Sequence, residues 1–498
     1  MEGNRATRTS HRHTGQNKDT MAIDADLVWK PAYELRELIA KKQLSPVELT
    51  DLCLEHVDRL NPKLNAFLTV SAEEARRDAR EAEAAVMRGD ELGPLHGVPV
   101  SVKDLLDTKG TRTTLGSLVY KDRVPEEDDL AVARLRAAGA VILGKTNTPE
   151  FGQGGATTQN RLIDDCRNPW DLDRVSGGSS GGAAVSVASG MNPIALGTDG
   201  GGSVRIPSSF CGIYGIKPTQ GRVPHTMSGQ TSWLPTRFFQ TSPMSRTVLD
   251  AAVALRVIAG PHPRAEPGTM QERLPDFKAG LDHTVKGLRM AWSPDMGSAA
   301  VEPEVQEAAE RAALAFSELG ATVEAAPFHV DVAELSGTHF TLVNTIYYLR
   351  NGGLLQTHAD LLTPIVVKHL QHGGTVTGAE YARALADLER YRTYIADFFT
   401  QYQLLLTPTV AIPAFAIGQR PTHIGGRPLD PFWGFWPFTF PFNASENPAA
   451  TVPCGFSTEG LPIGLQIVGR KGDDVTVLRA SAAFEEARPW ADKRPTVS

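Results

Sequence analysis

Along this 498-residue chain, amphipathic stretches and short apolar runs follow one another in a repeating order. Leu49, Leu52, Cys53, His56, Val57 and Leu60 fall on helical spacing. Ser45-Pro-Val-Glu48 opens that helix, with serine as N-cap, proline at the first helical position and glutamate closing a capping box. Residues 72–88, rich in Ala, Glu and Arg, predict a second, surface-lying helix. After Gly93-Pro94 the texture changes. Residues 98–103 predict a strand ending on a polar group, 130–138 a helix, and 140–144 a buried strand. The order returns with helix 304–319 and strand 321–326, with helix 379–400 and strand 404–406, and with strand 463–468 before helix 474–487. Helices followed by short apolar strands mark βαβ units, so a largely parallel or mixed sheet is expected. One large α/β domain over 27–490 accommodates these elements, with a disordered tail at 1–26 and a short tail at 491–498. Segment 261–400 is a candidate inserted helical lobe, and the glycine-proline clusters near 261–268 and 416–431 read as loops.

Composition narrows the classes. At 41% hydrophobic and 21% charged residues, the chain can bury a sizeable core. A net charge of −7 argues against nonspecific affinity for nucleic acid. No run reaches the roughly 18 apolar residues of a membrane span. Cys53, Cys166, Cys211 and Cys454 are scattered and form no C-x-x-C pair, so no zinc site or disulfide framework is suggested and reduced thiols in a cytoplasmic protein are expected. The first twenty residues are polar and lack the apolar stretch of a secretory signal, and either Met1 or Met21 can serve as the start.

Two glycine-rich turns each present a serine: Ser176-Gly-Gly-Ser-Ser-Gly-Gly182 and Gly197-Thr-Asp-Gly-Gly-Gly-Ser203. The second follows a short apolar strand at 193–197, and Ser203-Val-Arg-Ile206 then opens a short helix before Pro207. Successive N–H groups at such a turn converge on one spot and stabilise an anion, so Ser203 is a nucleophile candidate with an oxyanion site beside it. A flexible loop or phosphate cradle reads equally well from that turn alone. The first turn matches G-x-S-x-G, but residues 169–176 before it read as a loop, whereas a nucleophile elbow needs an apolar strand there. Lys103 ends the 98–103 strand. A lysine of ordinary pKa is neutral in roughly four molecules in ten thousand at pH 7, so as a base it must be desolvated.

These residues resemble the amidase signature enzymes, over about residues 30–487. Leu95-His-Gly-Val-Pro-Val-Ser-Val-Lys-Asp104 looks like the family's lysine strand, and the two glycine turns look like its signature core. Leu405-Leu-Thr-Pro-Thr409 and Gly460-Leu-Pro-Ile-Gly-Leu-Gln-Ile-Val-Gly469 look like its C-terminal strands. The spacings of 76 residues from Lys103 to Ser179 and 24 from Ser179 to Ser203 fit the pattern. The resemblance implies a large twisted mixed sheet covered on both faces by helices, and a triad of Lys103 as base, Ser179 as relay on a cis peptide after Gly178, and Ser203 as nucleophile. It implies an oxyanion site from the N–H groups of Gly200, Gly201, Gly202 and Ser203, with Ser180, Asp199 and Arg205 orienting the turns. Gln153 and Gly154 fall where the family places substrate-facing backbone. No metal or cofactor is implied. The expected partner is a small-molecule amide, not nucleic acid or membrane, and a homodimer is the base-rate expectation.

Residues 431–442 hold seven aromatics in twelve positions, with prolines that argue against a regular strand. They suggest a rigid apolar wall beside the substrate, with Phe435, Trp436 and Phe438 as candidates and Trp233, Phe238 and Phe239 joining; plain core packing explains them too. Asn443-Ala-Ser-Glu-Asn-Pro448 departs from the family's usual asparagine-threonine-glycine loop and adds Glu446 as a candidate pocket charge. Alternatives are the glutamine-hydrolysing component (the A chain type) of a tRNA-dependent amidotransferase and a nucleotide- or phosphate-binding module. Amidase, esterase, lactamase and carbamate hydrolase remain open.

Overall fold

The computed structural model describes residues 25–225, 238–278, 280–282 and 284–497. Both candidate start methionines, and all but the last two residues of the expected 1–26 tail, lie outside them. Eleven strands form one mixed sheet: β1 Phe67–Val70, β2 Pro99–Lys103, β3 Val141–Thr146, β4 Ile194–Asp199, β5 Tyr214–Lys217, β6 Gln240–Ser245, β7 Arg289–Trp292, β8 Thr322–Ala325, β9 Leu404–Pro408, β10 Ala449–Phe456 and β11 Pro462–Gly469. Their order is β1-β3-β2-β4-β6-β5-β10-β11-β9-β7-β8. β2 is parallel to both β3 and β4, and β7 to both β9 and β8. The remaining neighbours are antiparallel.

Both faces of the sheet are apolar, as continuous apolar strands require. Ile194 and Leu196 enter one core, together with Leu404 and Leu406, while Ala195 enters a second and Leu405 a third. Helices Leu130–Ala137, Val248–Ile258, Pro303–Glu318 and Asp474–Ala487 supply buried residues to the first core. Pro46–Leu64 and the fully buried Gly181–Ala188 serve the second, and Val332–Asn351 and Gly378–Gln401 the third. Truncating one such strand leucine to alanine costs about 2–5 kcal/mol, because the packed surroundings close only part of the void.

Several expectations change. Segment 261–400 is not purely helical: β8, expected at 321–326, and β7, which was not expected, lie within it and form one edge of the sheet. β7 is a four-residue strand, too short to show a period. Residues 171–175, read as loop, form a strand paired with Arg167–Asn168 in a ribbon outside the main sheet. The helix after Ser203 is Arg205–Cys211 and runs through Pro207, which its first turn tolerates because an N–H there has no intrahelical acceptor. The Ser45 hydroxyl caps its helix by accepting from Val47 and Glu48 N–H and itself donates to Glu83. At the C-terminus Arg494 lies 4.8 Å over the Trp29 ring and 2.9 Å from Asp26, so this end is packed against the first described turn. No helix among the described residues is long and apolar enough to cross a membrane.

Candidate active site

Because β2 and β4 run parallel side by side, their C-terminal ends open on one crevice, where ligands bind in sheets of this kind. Lys103 ends β2, and Thr198 and Asp199 end β4. Lys103 is fully buried. Its Nζ lies 2.7 Å from Ser179 Oγ, 2.9 Å from Ser180 Oγ, 3.0 Å from Thr198 Oγ1 and 3.3 Å from the Thr198 carbonyl. Burial drives its pKa well below the ordinary lysine value, and the opposing pull of Asp199 does not reverse this.

The Gly178–Ser179 peptide is cis. A Cβ at position 178 would stand 2.0 Å from the Thr157 carbonyl, so only glycine lets the turn sit this close to its neighbour. The Ser180 N–H donates to the Ser203 carbonyl at 3.0 Å, tying the two glycine turns together, and its hydroxyl donates to the Thr198 carbonyl at 3.2 Å.

Behind the second turn sits a fully buried ion pair. Arg205 Nε and Nη2 meet the two oxygens of Asp199 at 3.0 and 2.9 Å. Arg205 also donates to Gln466 Oε1 at 2.7 Å, Asn443 Oδ1 at 2.6 Å and the Thr439 carbonyl at 2.9 Å. Burial alone would raise the Asp199 carboxyl, but the guanidinium and the Asn443 amide overcome it and hold it below the usual carboxylate range. Asp199 further accepts from the N–H groups of Gly202 at 2.8 Å and Val204 at 3.1 Å. Gly202, expected as an oxyanion donor, therefore spends its N–H on holding the turn. Its φ of +123° needs glycine.

A cavity of about 70 Å³ lies beside Ser203, Gly178, Gly200 and Gly201, with Gly152 and Gln153 at its edge. Among the described residues, no group of three or more His, Cys, Asp or Glu side chains could hold a metal ion. What the arrangement offers is a hydroxyl at a glycine turn, a second hydroxyl on a buried amine, and backbone N–H groups around an apolar hollow.

The family model for amidases matches residues 48–478. The chain belongs to the amidase family. An acylamidase of Rhodococcus erythropolis is 39% identical over 482 residues, 95% of this chain and 99% of the relative. The A-type component of the glutamyl-tRNA(Gln) amidotransferase of Moorella thermoacetica is 37% identical, covering 94% of this chain and 99% of that protein. The solved structure of a bacterial aryl acylamidase of the amidase signature family superimposes with a TM-score of 0.86 at 33% identity, over 93% of this chain and 97% of that one. This protein is accordingly an amidase signature enzyme acting on non-peptide carbon–nitrogen bonds.

The amidase's aromatic segment divides in two. Phe432 and Trp436 line the cavity. Phe435 and Phe438, also expected there, do not: Phe435 packs edge-on against Phe415 at 4.9 Å, and both rings are fully buried in the core. The backbone here is a succession of turns, so positions four apart share a side: the Phe432–Trp436 and Trp436–Phe440 rings are 6.2 and 5.7 Å apart. Phe239 reaches the cavity, whereas Phe238 packs against the His339 ring outside it. Trp233 lies outside the described residues. Gly154 does not line the cavity; its carbonyl accepts from Arg420 Nη2 at 2.6 Å. Glu446 is no pocket charge, being paired with Arg392 at 2.7 Å and with Lys471. Sequence reasoning missed one whole wall: His339, Phe340, Val343, Asn344 and Tyr347, on one face of helix Val332–Asn351, with His369 beyond them. Their three- and four-residue spacing was the available signal.

Proposed function

We propose that this amidase hydrolyses linear amides carrying an aryl or apolar group, through an acyl-enzyme on Ser203. The observation that carries the reading is a lysine amine stripped of solvent and within hydrogen-bond distance of a second serine. Neutral Lys103 accepts the proton of Ser179 as Ser179 accepts that of Ser203, and Ser203 Oγ attacks the acyl carbon. The N–H groups of Gly200, Gly201 and Ser203 stabilise the oxyanion, Gly202 being committed to Asp199. Ser179 returns a proton to the leaving amine, and water releases the acid by the same relay. The aromatic wall, together with the likeness to an acylamidase and an aryl acylamidase, supports the substrate class. A fluorophosphonate should label wild type at Ser203, and Ser203→Ala should lose both the label and at least about a thousandfold of anilide hydrolysis. Retained hydrolysis in that variant would sink the scheme.

The 37% identity to an amidotransferase component supports a second reading, glutamine hydrolysis for transfer to a partner. Glutaminase turnover that appears only with added partner proteins would select it. Rates on a panel of esters, lactams and carbamates rank the remaining chemistries.

A further inference from the structure

Gln153 is 5% exposed and stands at the edge of the cavity. Its Oε1 faces His369 Nδ1 at 2.9 Å. Its Nε2 has no hydrogen-bond partner among the described residues. A buried amide N–H left unmade costs free energy unless a bound molecule satisfies it. Burial holds the His369 ring neutral, its pKa lowered to about 4, so it carries a single N–H. With the amide oxygen facing it, that proton is on Nδ1. The ring is braced edge-on by Phe432 at 5.3 Å.

The side of the site is also fixed. Gly152, next in chain to Gln153, is close enough to Ser179 that a Cβ on it would lie 3.5 Å from the Ser179 hydroxyl. In the proposed mechanism that hydroxyl protonates the departing amine. The wall that includes Gln153 is therefore the wall of the amine half. Among the described residues no lysine or arginine lines the cavity, so an anionic group here would be desolvated without a counter-charge.

We propose that Gln153 is a specificity residue whose Nε2–H donates to a neutral hydrogen-bond acceptor on the amine half of an aryl amide, with His369 as the positioning residue that aims it. This rests on the amide-hydrolysis reading above. The substrate class it names is anilides bearing a carbonyl, nitro or ether oxygen on the ring.

The test compares two near-isosteric substrates, 4-acetylacetanilide and 4-isopropylacetanilide. The readout is the ratio of their kcat/KM values, so the ring's electronic effect cancels between enzyme variants. Gln153→Leu should lower the acetyl/isopropyl ratio about tenfold. His369→Phe should lower it in the same direction, mainly through KM, and His369→Asn, whose amide N–H can stand in for Nδ1, should recover part of it. An unchanged ratio in Gln153→Leu overturns the assignment of Gln153, and no recovery in His369→Asn overturns that of His369. Binding of both anilides to Ser203→Ala gives a second, turnover-independent measure. If wild type hydrolyses neither anilide, the parent reading fails, while a binding preference for the acetyl compound that Gln153→Leu abolishes still upholds the subsite; equal binding of the two overturns it.

Discussion

Around Lys103 Nζ, four oxygens from three residues replace the water an ammonium would need. Three of them belong to hydroxyl groups, which can accept from an amine or donate to one. Desolvation is what lowers the pKa, and the nearby carboxylate of Asp199 opposes it. A neutral amine is the form above the pKa, so fluorophosphonate labelling of Ser203 should rise about tenfold per pH unit up to that lowered pKa and stay level beyond it. Labelling fastest in acid would contradict the base assignment. Lys103→Arg keeps a permanent cation and should lose about 10²–10⁴-fold in kcat/KM, as loss of a general base does, although charge is conserved.

Between elements, the Asp199–Arg205 pair joins β4 to the helix that follows Ser203, and Asn443 and Gln466 pin it from the C-terminal third of the chain. Arg205→Met leaves a buried carboxylate without its cation and should cost about 3–5 kcal/mol in urea unfolding. The sign with pH follows from linkage. Asp199 is held below its ordinary value near 3.8, so the pair stabilises above that pH, and the gap between wild type and variant should narrow as pH falls through and below it. The same variant should shift the acid limb of labelling upward, because an unneutralised Asp199 favours the Lys103 ammonium. Legibility also divides at this scale. The lysine strand, the serine turns and helices such as Pro46–Leu64, Pro303–Glu318 and Gly378–Gln401 are readable because each is written in contiguous residues. That β2 lies beside β4 is not, because Lys103 and Thr198 meet only through sheet pairing across 95 residues. Phe435 and Phe438 fall to the core rather than the cavity, and composition cannot sort them: Phe432 and Trp436 line the cavity, while Phe440, four residues further on, is fully buried in the core. The wall from Val332–Asn351 is hidden because no individual helix is expected there: Ser336, Thr338, His339 and Asn344 are buried alongside its apolar residues and blur the apolar stripe.

Across the whole molecule, the two ends of the described chain converge on one set of helices. Asp250 accepts from the N–H groups of Ala32 and Tyr33 at 2.8 and 3.0 Å, and Glu485 accepts from that of Val248 at 3.1 Å. Burial raises these carboxyls, Asp250 to about 6 and Glu485 to about 7. A raised folded pKa means the native state holds protons the unfolded chain has released, so this contribution is present below about 4.5 and is lost as pH climbs to about 7. Buried His339 and His369, lowered to about 4, push the other way, so the test is a difference: wild type should lose a few degrees of melting temperature relative to Glu485→Gln as pH rises across that window. Equal slopes in the two proteins would count against it.

The guanidinium behind the Ser203 turn takes one of its anchors from residue 466, which lies 261 positions further along the chain. A ribosome product cut short before that point already carries the lysine and both serines, yet it has no oxygen there to complete the brace. Such a fragment also lacks the rest of strand β11, so under the proposed mechanism it should hydrolyse no amide.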